Sequence, residues 1–417
     1  MNKKYILLFF YFCFLVNTTY AQKNHTQELL DSAKTLFNST KDLYANELDT
    51  FDFKHIAFLL NQVLQVEPNN SEALYYLGYT YSRINASDGR GIISMNKDLV
   101  IQTSDCFEKL IQISPKYTGE IIALDPYSKM TAEWGSLAMC YLFNHKPDSA
   151  QWAFNEAKQR GGLSSFTLEI NRKTLDACAP NSILISSGDN ITILLWYLQE
   201  VEHYRTDISV VDISLLNTTW YPKYLSKNKN IVFDLPENIL DTIDYMPWMD
   251  SLITVGDFSW TLKPSLYEQY ILRGDRVLLS LIKANNFKRD IYFTASFYSH
   301  QQLSLEDYLS NYIVVKKLCQ STPKDLPYDI YKNKISEILQ LGSVLNPNSI
   351  DQIHTYNLYR YDIVMQMDNY FKSNELKKTK ELMIVFDTYA NDKRMEYDYK
   401  SLSDFVVDLK SQLKIKK

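Results

Sequence analysis

The spacing of apolar positions changes character along the chain. From residue 25 to residue 165, apolar side chains recur every three to four positions, the mark of amphipathic helices. After Ala179-Pro180 the spacing gives way to Ser182-Ile-Leu-Ile-Ser-Ser187, a short apolar run of buried-strand length. A helix is predicted over Ile191 to Tyr204, then an alternating, β-branched strand over Asp207 to Ser214. A second helix over Leu216 to Leu225 leads to a strand over Asn230 to Phe233. A long helix over Ser265 to Asn285 and a strand over Arg289 to Ala295 complete the alternation. Strand–helix–strand order requires crossovers, so a small, mainly parallel sheet of four strands is expected. The expected class is α+α/β: helical repeats over 25–165, a Rossmann-like α/β module over 179–300, and a helical region over 301–417 with a hairpin near 352–390.

The first helical stretch contains an internal repeat. Trp134, Leu137, Ala138 and Tyr141 are followed, across the turn Lys146-Pro147-Asp148, by Ala150, Phe154 and Ala157. Seven positions in register resemble the tetratricopeptide repeat, where small residues let two antiparallel helices approach while large ones fill the space between them. An earlier copy comprises Leu74, Leu77, Gly78 and Tyr81, then Phe107, Leu110 and Pro115, with a surface loop at Ser82 to Asp98 inserted between its halves. Leu60, Val63 and Pro68 give the second helix of a degenerate first repeat. About three such units are needed to bury a continuous core, and stacked together they would either offer a groove to a protein or peptide partner or form a short superhelix that supports the next domain.

A second resemblance rests on the run from Gly188-Asp189-Asn190 through Trp196-Tyr197-Leu198-Gln199-Glu200-Val201-Glu202, Arg205-Thr206-Asp207 and Ser214-Leu215-Leu216-Asn217. It is similar to the soluble C-terminal module of bacteroidete membrane proteins related to protein O-mannosyltransferases, of the transmembrane-protein-260 type. The similarity extends through Leu272 to Arg276 and Arg289 to Phe293, and covers about residues 179–390. Ile191 replaces an acid of that pattern, and Ile193-Leu194 replaces a Phe-Pro pair. The resemblance implies association with envelope glycosylation and a membrane glycosyltransferase as partner, but supplies no catalytic residue.

Composition narrows the function classes. Glycine (11) and proline (12) are scarce in 417 residues, which favours long elements, and tyrosine is abundant at 31. Lys3-Lys4, the apolar run Tyr5 to Val16 and Thr19-Tyr20-Ala21 form the tripartite pattern of a signal peptide over 1–21. Cleavage there changes the net charge from −5 to −7, and export to the periplasm or beyond is expected, with no transmembrane segment left behind. An acidic chain without a basic tract does not suit nucleic acid. Cys106, Cys140, Cys178 and Cys319 form no CxxC and are expected as buried thiols, with a Cys106–Cys140 bridge as the alternative.

Candidate chemistry concentrates where the first strand ends. Gly188, Asp189 and Asn190 stand at its carboxyl end and at the start of the next helix, the place where parallel sheets collect ligands. Asn217, Trp220 and Tyr221, after the second strand, would bring amide and aromatic groups to the same crevice, a combination suited to a sugar or polar peptide. The alternative roles are helix capping for Asp189 or Asn190 and core packing for the aromatics. Glu202 and Arg205 stand at i,i+3 and are expected to pair. Arg273-Gly274-Asp275 spells an adhesion tripeptide, placed mid-helix by the spacing. No histidine pair at ligand spacing, phosphate loop or nucleophile elbow occurs, so no metal, cofactor or catalytic set is assigned. The sequence therefore favours an exported non-catalytic binding or scaffold protein. An accessory factor of envelope O-glycosylation is the alternative, and an enzyme using Asp189 a further one.

Overall fold

The computed structural model describes residues 22–43, 45–295, 302–390, 397 and 400–415. The predicted signal segment, Lys416 and Lys417 lie outside them. The chain divides into two compact units at the Cys140–Tyr141 junction.

The first unit is helical. A helix over 22–38 (α1) precedes α2 Phe53–Val66, α3 Ser71–Asn85, α4 Lys97–Ile113 and α5 Pro126–Phe143, the last carrying the boundary. Side-chain caps start α2 to α4: Asp52 accepts from His55 N, Asn70 from Ala73 N and Asn96 from Asp98 N. α3 packs on both α2 and α4. Gly78 explains how closely α3 and α4 approach: a Cβ there would lie 2.7 Å from Phe107 Cζ. Tyrosines then close the unit. Tyr75 and Tyr79 donate to the Leu124 carbonyl at 2.8 and 3.0 Å and accept from Ile122 N and Leu124 N, so their hydroxyls bind an irregular backbone segment. Tyr75 also stacks on Tyr117, with ring centroids 4.5 Å apart. Buried charge occurs here too, where Lys129 Nζ and Ser82 Oγ both reach Glu133 Oε1, at 2.6 and 2.5 Å.

The second unit begins with α6 Pro147–Gln159 and α7 Ser165–Asp176. Ala150, Phe154 and Ala157 are fully buried. A mixed sheet follows: β1 Ile183–Ser186, α8 Asp189–Glu200, β2 Ser209–Asp212, α9 Trp220–Asn228, the hairpin β3 Ser251–Val255 and β4 Phe258–Leu262, α11 Arg273–Asn285 (after the short α10 Glu237–Thr242), β5 Ile291–Thr294, β6 Leu309–Asn311 and β7 Val315–Leu318. The strand order is β2-β1-β5-β7-β6, with β3 and β4 forming a separate ribbon. β1 pairs in parallel with both β2 and β5, whereas β7 runs antiparallel to β5 and β6. Every residue of β1, β2 and β5 is buried, as in a sheet covered on both faces. α12 Tyr328–Gln340, α13 Ile350–Lys372 and α14 Leu376–Val385 complete the helical region, with α15 Lys400–Ile415 after them. α13 and α14 form the expected hairpin, and the buried Arg360 on α13 donates from Nε to the Ala390 carbonyl at 2.8 Å.

Two expected elements differ, and the sheet is larger than expected. Residues 230–233 form no strand: Ile231 is buried, but Val232 is 68% exposed, and both neighbours of β1 are already supplied by β2 and β5. The sheet instead gains β6 and β7 beyond residue 300. The helix expected from Ser265 begins at Arg273, because Leu266 to Tyr270 form a tight bridge with Tyr267 and Glu268 at positive φ. Asp275 stops helix growth from the other side: its carboxylate accepts from Leu272 N and Ser265 Oγ. All four cysteines after residue 21 are free thiols, and burial pushes the thiol of Cys106 up to about 12.

Candidate functional site

The turn after β1 sets up the region. Ser186 ends a strand paired on both sides, and the chain must leave the sheet and start α8 within two residues. Gly188 does this at φ +91°, a backbone conformation that strains any side chain even though space around it is open. Gly188 is itself the N-cap residue, its carbonyl accepting from Ile191 N and Thr192 N at 3.0 Å each. Asp189 and Asn190 are therefore the first helical residues rather than the caps expected of them. The exposed Asp189 carboxylate sits where the helix dipole favours negative charge.

Behind this turn lies a sealed polar cluster. Asp212, the last residue of β2, is 5% exposed. Thr192 Oγ1 donates to its Oδ2 at 2.6 Å, Leu215 N donates to Oδ1 at 2.9 Å, and Ser186 Oγ joins Thr192 Oγ1 at 2.8 Å. Burial raises this carboxyl from the ordinary 3.8 to about 6, against the hydrogen bonds that favour its charged form, and the Asp189 charge adds to the rise. The sequence spacing placed Asp212 inside a strand and gave no reason to single it out.

The six residues expected to share a crevice occupy different surroundings. Asn217 accepts from Gly274 N at 2.8 Å and so caps the start of α11; a Cβ on Gly274 would collide with its amide. Tyr221 is fully buried and its hydroxyl accepts from Asp212 N at 3.0 Å. Trp220 packs edge-on against Phe143 and Tyr221 and lines a cleft along α9. Gly188 and Asp189 stay at the exposed turn. Asn190 faces elsewhere, into a small cavity of about 40 Å³.

That cavity lies at the carboxyl ends of β1 and β5, where the connections leave the sheet in opposite directions, the topological position at which open sheets bind ligands. Asn171 on α7, Thr294 at the end of β5 and Tyr359 on α13 also line it. Asn171 Oδ1 and Thr294 Oγ1 are both buried without a hydrogen-bond partner. Such atoms cost about 1–3 kcal/mol each if left without a partner. Asn171 holds its orientation by donating from Nδ2 to Thr167 O at 2.9 Å. Neither Asn171 nor Thr294 carries a motif, and only the fold brings them together.

The residues of the long motif serve as structural ties. Gln199 Nε2 donates to the Arg205 and Ile208 carbonyls at 2.9 and 2.8 Å. Arg205 grips Asp207 with a two-point fork at 2.9 and 3.0 Å and donates to Leu175 O and Cys178 O, joining the end of α7 to the start of β2. That fork holds the Asp207 carboxyl down at about 2. The expected Glu202–Arg205 pair does not form. α8 ends at Glu200, Arg205 turns back at φ +46°, and Glu202 pairs with Arg172 and Lys158 instead. Arg273-Gly274-Asp275 opens α11 rather than lying mid-helix, and all three residues are buried. The Arg273 guanidinium donates to the Ile243, Leu240 and Thr218 carbonyls, which excludes a role as an exposed adhesion tripeptide. Among the described residues there is no metal-ligating cluster, and no helix is long and apolar enough to cross a membrane.

Residues 167–240, spanning α7 to α10 and including β1, β2 and the Asp212 cluster, match the family TMEM260-associated domain 2. Neither the curated proteins nor the solved structures contain a significant match to the chain.

Proposed function

From the match of residues 167–240 to a TMEM260-associated domain, we propose that this chain is a non-catalytic binding and scaffold protein, exported to the periplasm or beyond. In this reading α2 to α6 are tetratricopeptide-type repeats that present a surface to an envelope protein or peptide. The α/β unit adds the crevice between the ends of β1 and β5 as a second, polar contact. The observation that carries the reading is the pair of unmatched buried atoms, Asn171 Oδ1 and Thr294 Oγ1, on residues that line that crevice. An acceptor amide and a hydroxyl suit an incoming O–H or N–H group, and the Asp189 charge at the nearby turn disfavours an anion there. The test is affinity capture from envelope extract with wild type and with the double variant Asn171→Leu/Thr294→Val. A partner held by the wild type and lost by the variant is expected. No specific partner, or equal recovery by both proteins, would refute the assignment.

The second reading, an accessory of envelope O-glycosylation acting beside a membrane glycosyltransferase, is favoured by the domain match alone. Deleting the gene and finding every envelope glycoprotein unchanged would sink it.

A further inference from the structure

The cleft along α9 is separate from the crevice of the preceding proposal and, unlike that uncharged space, is lined by basic side chains. It encloses about 380 Å³, within the range of small-molecule sites. One wall is a single face of α9: Trp220, then Lys223 and Tyr224, then Lys227, at helical spacings of three to four. The other wall is the end of α5 and the turn after it, with Phe143 and His145. Phe143 meets Trp220 edge-to-face, with centroids 5.4 Å apart and planes at 77°, and Tyr224 lies 6.5 Å from the same indole. These rings give the cleft an apolar floor.

The polar groups around that floor are what single it out. The chain carries a net charge of −5, yet two lysines and a histidine line this cleft and no aspartate or glutamate does. Lys223 is engaged from outside by Asp241 at 2.8 Å and Glu237 at 3.8 Å. Lys227 is exposed and has no ion pair among the described residues. His145 is held at φ +57° at the tip of its turn, exposed, and Thr219 starts α9 without using its hydroxyl as a cap. An ammonium, an imidazole and a hydroxyl thus converge beside aromatic rings without being spent on the fold. Burying part of an anion against rings while lysine meets its charge combines the two interactions such a lining offers.

We propose that this cleft binds a small anion carried on a flat, apolar body, with Lys227 and Thr219 meeting the carboxylate or phosphate and Trp220 and Phe143 the ring. The probes are phenyl phosphate and benzoate, with inorganic phosphate and phenol as the two halves of the ligand, read by isothermal titration calorimetry on the intact chain. A saturable signal is expected for at least one aryl anion, stronger than for phosphate or phenol. Phenyl phosphate alone responding assigns a phosphate ligand, and both responding assigns either anion. Lys227→Glu should weaken that binding about tenfold or more, while Lys227→Arg retains it. Because Lys227 is exposed, both variants should keep the wild-type melting curve. No saturable signal from either aryl anion, phenol binding as well as the anions, or Lys227→Glu binding like wild type would overturn the proposal. None of these outcomes depends on the envelope capture experiment.

Discussion

Asp212→Asn isolates the energetic consequence of placing a carboxyl at the sealed end of β2. The folded protein holds this group with its pKa raised from 3.8 to about 6, with burial as the main cause. The folded state therefore binds the proton more tightly than the unfolded chain. Stability from this group is fully present below the unfolded value near 4 and is lost as pH rises through about 6. Two pKa units at about 1.4 kcal/mol each put the loss at about 3 kcal/mol. Asparagine retains an oxygen for Leu215 N and removes the charge, so its stability should lack this component. The assay is urea unfolding of both proteins at several pH values between 4 and 7.5, followed by far-UV circular dichroism. Other titrating groups cancel in the difference between the two proteins. The wild type should lose about 3 kcal/mol relative to the variant across that interval. A difference that stays flat, or one in which the wild type gains on the variant as pH rises, would refute the reasoning.

Two further substitutions test packing and buried charge in the helical unit. In Gly78→Ala, a helix-propensity gain of about 0.5–1 kcal/mol opposes a Cβ set 2.7 Å from a fully buried Phe107 ring that Tyr75 and Tyr79 flank. Overpacking at about 1–3 kcal/mol should win, so the variant should melt below wild type, and a rise in melting temperature would refute the close approach of α3 and α4. Lys129→Ala leaves the buried Glu133 with only Ser82 on Oε1 and nothing on Oε2. A loss of about 3–5 kcal/mol in chemical denaturation is expected, with partial recovery when Glu133→Gln is added. An unchanged midpoint would mean that the pair is solvated.

How much was legible in the sequence follows from what each element contacts. β1 and β2 announce themselves because strands buried on both faces need unbroken apolar runs, and Gly188 marks the turn because no other residue suits its φ. Ile231-Val232-Phe233 has the same composition as a strand, but apolar content does not reveal whether a sheet edge is open to receive it. β6 and β7 escaped because Ser310, Asn311, Lys316 and Lys317 break the apolar pattern, which antiparallel strands beside a sheet's margin tolerate. Asn217 and Tyr221 were singled out for polar and aromatic chemistry, but their partners, Gly274 N and Asp212 N, lie on other elements. The Asn171–Thr294 crevice was invisible for the same reason. Single polar residues on α7 and β5 acquire meaning only once the chain has brought those elements side by side.

The pairing of Ile183 with Ile291 has a consequence for how the molecule is made. During synthesis β1 and β2 leave the ribosome long before β5, so one hydrogen-bonding margin of β1 stays open while the intervening segment is still being added. Contacts so distant in sequence slow folding and prolong the exposure of apolar backbone to aggregation. A nascent chain stopped before Ile291 should therefore be chaperone-dependent, and this dependence should fall once β5 is free to pair with β1.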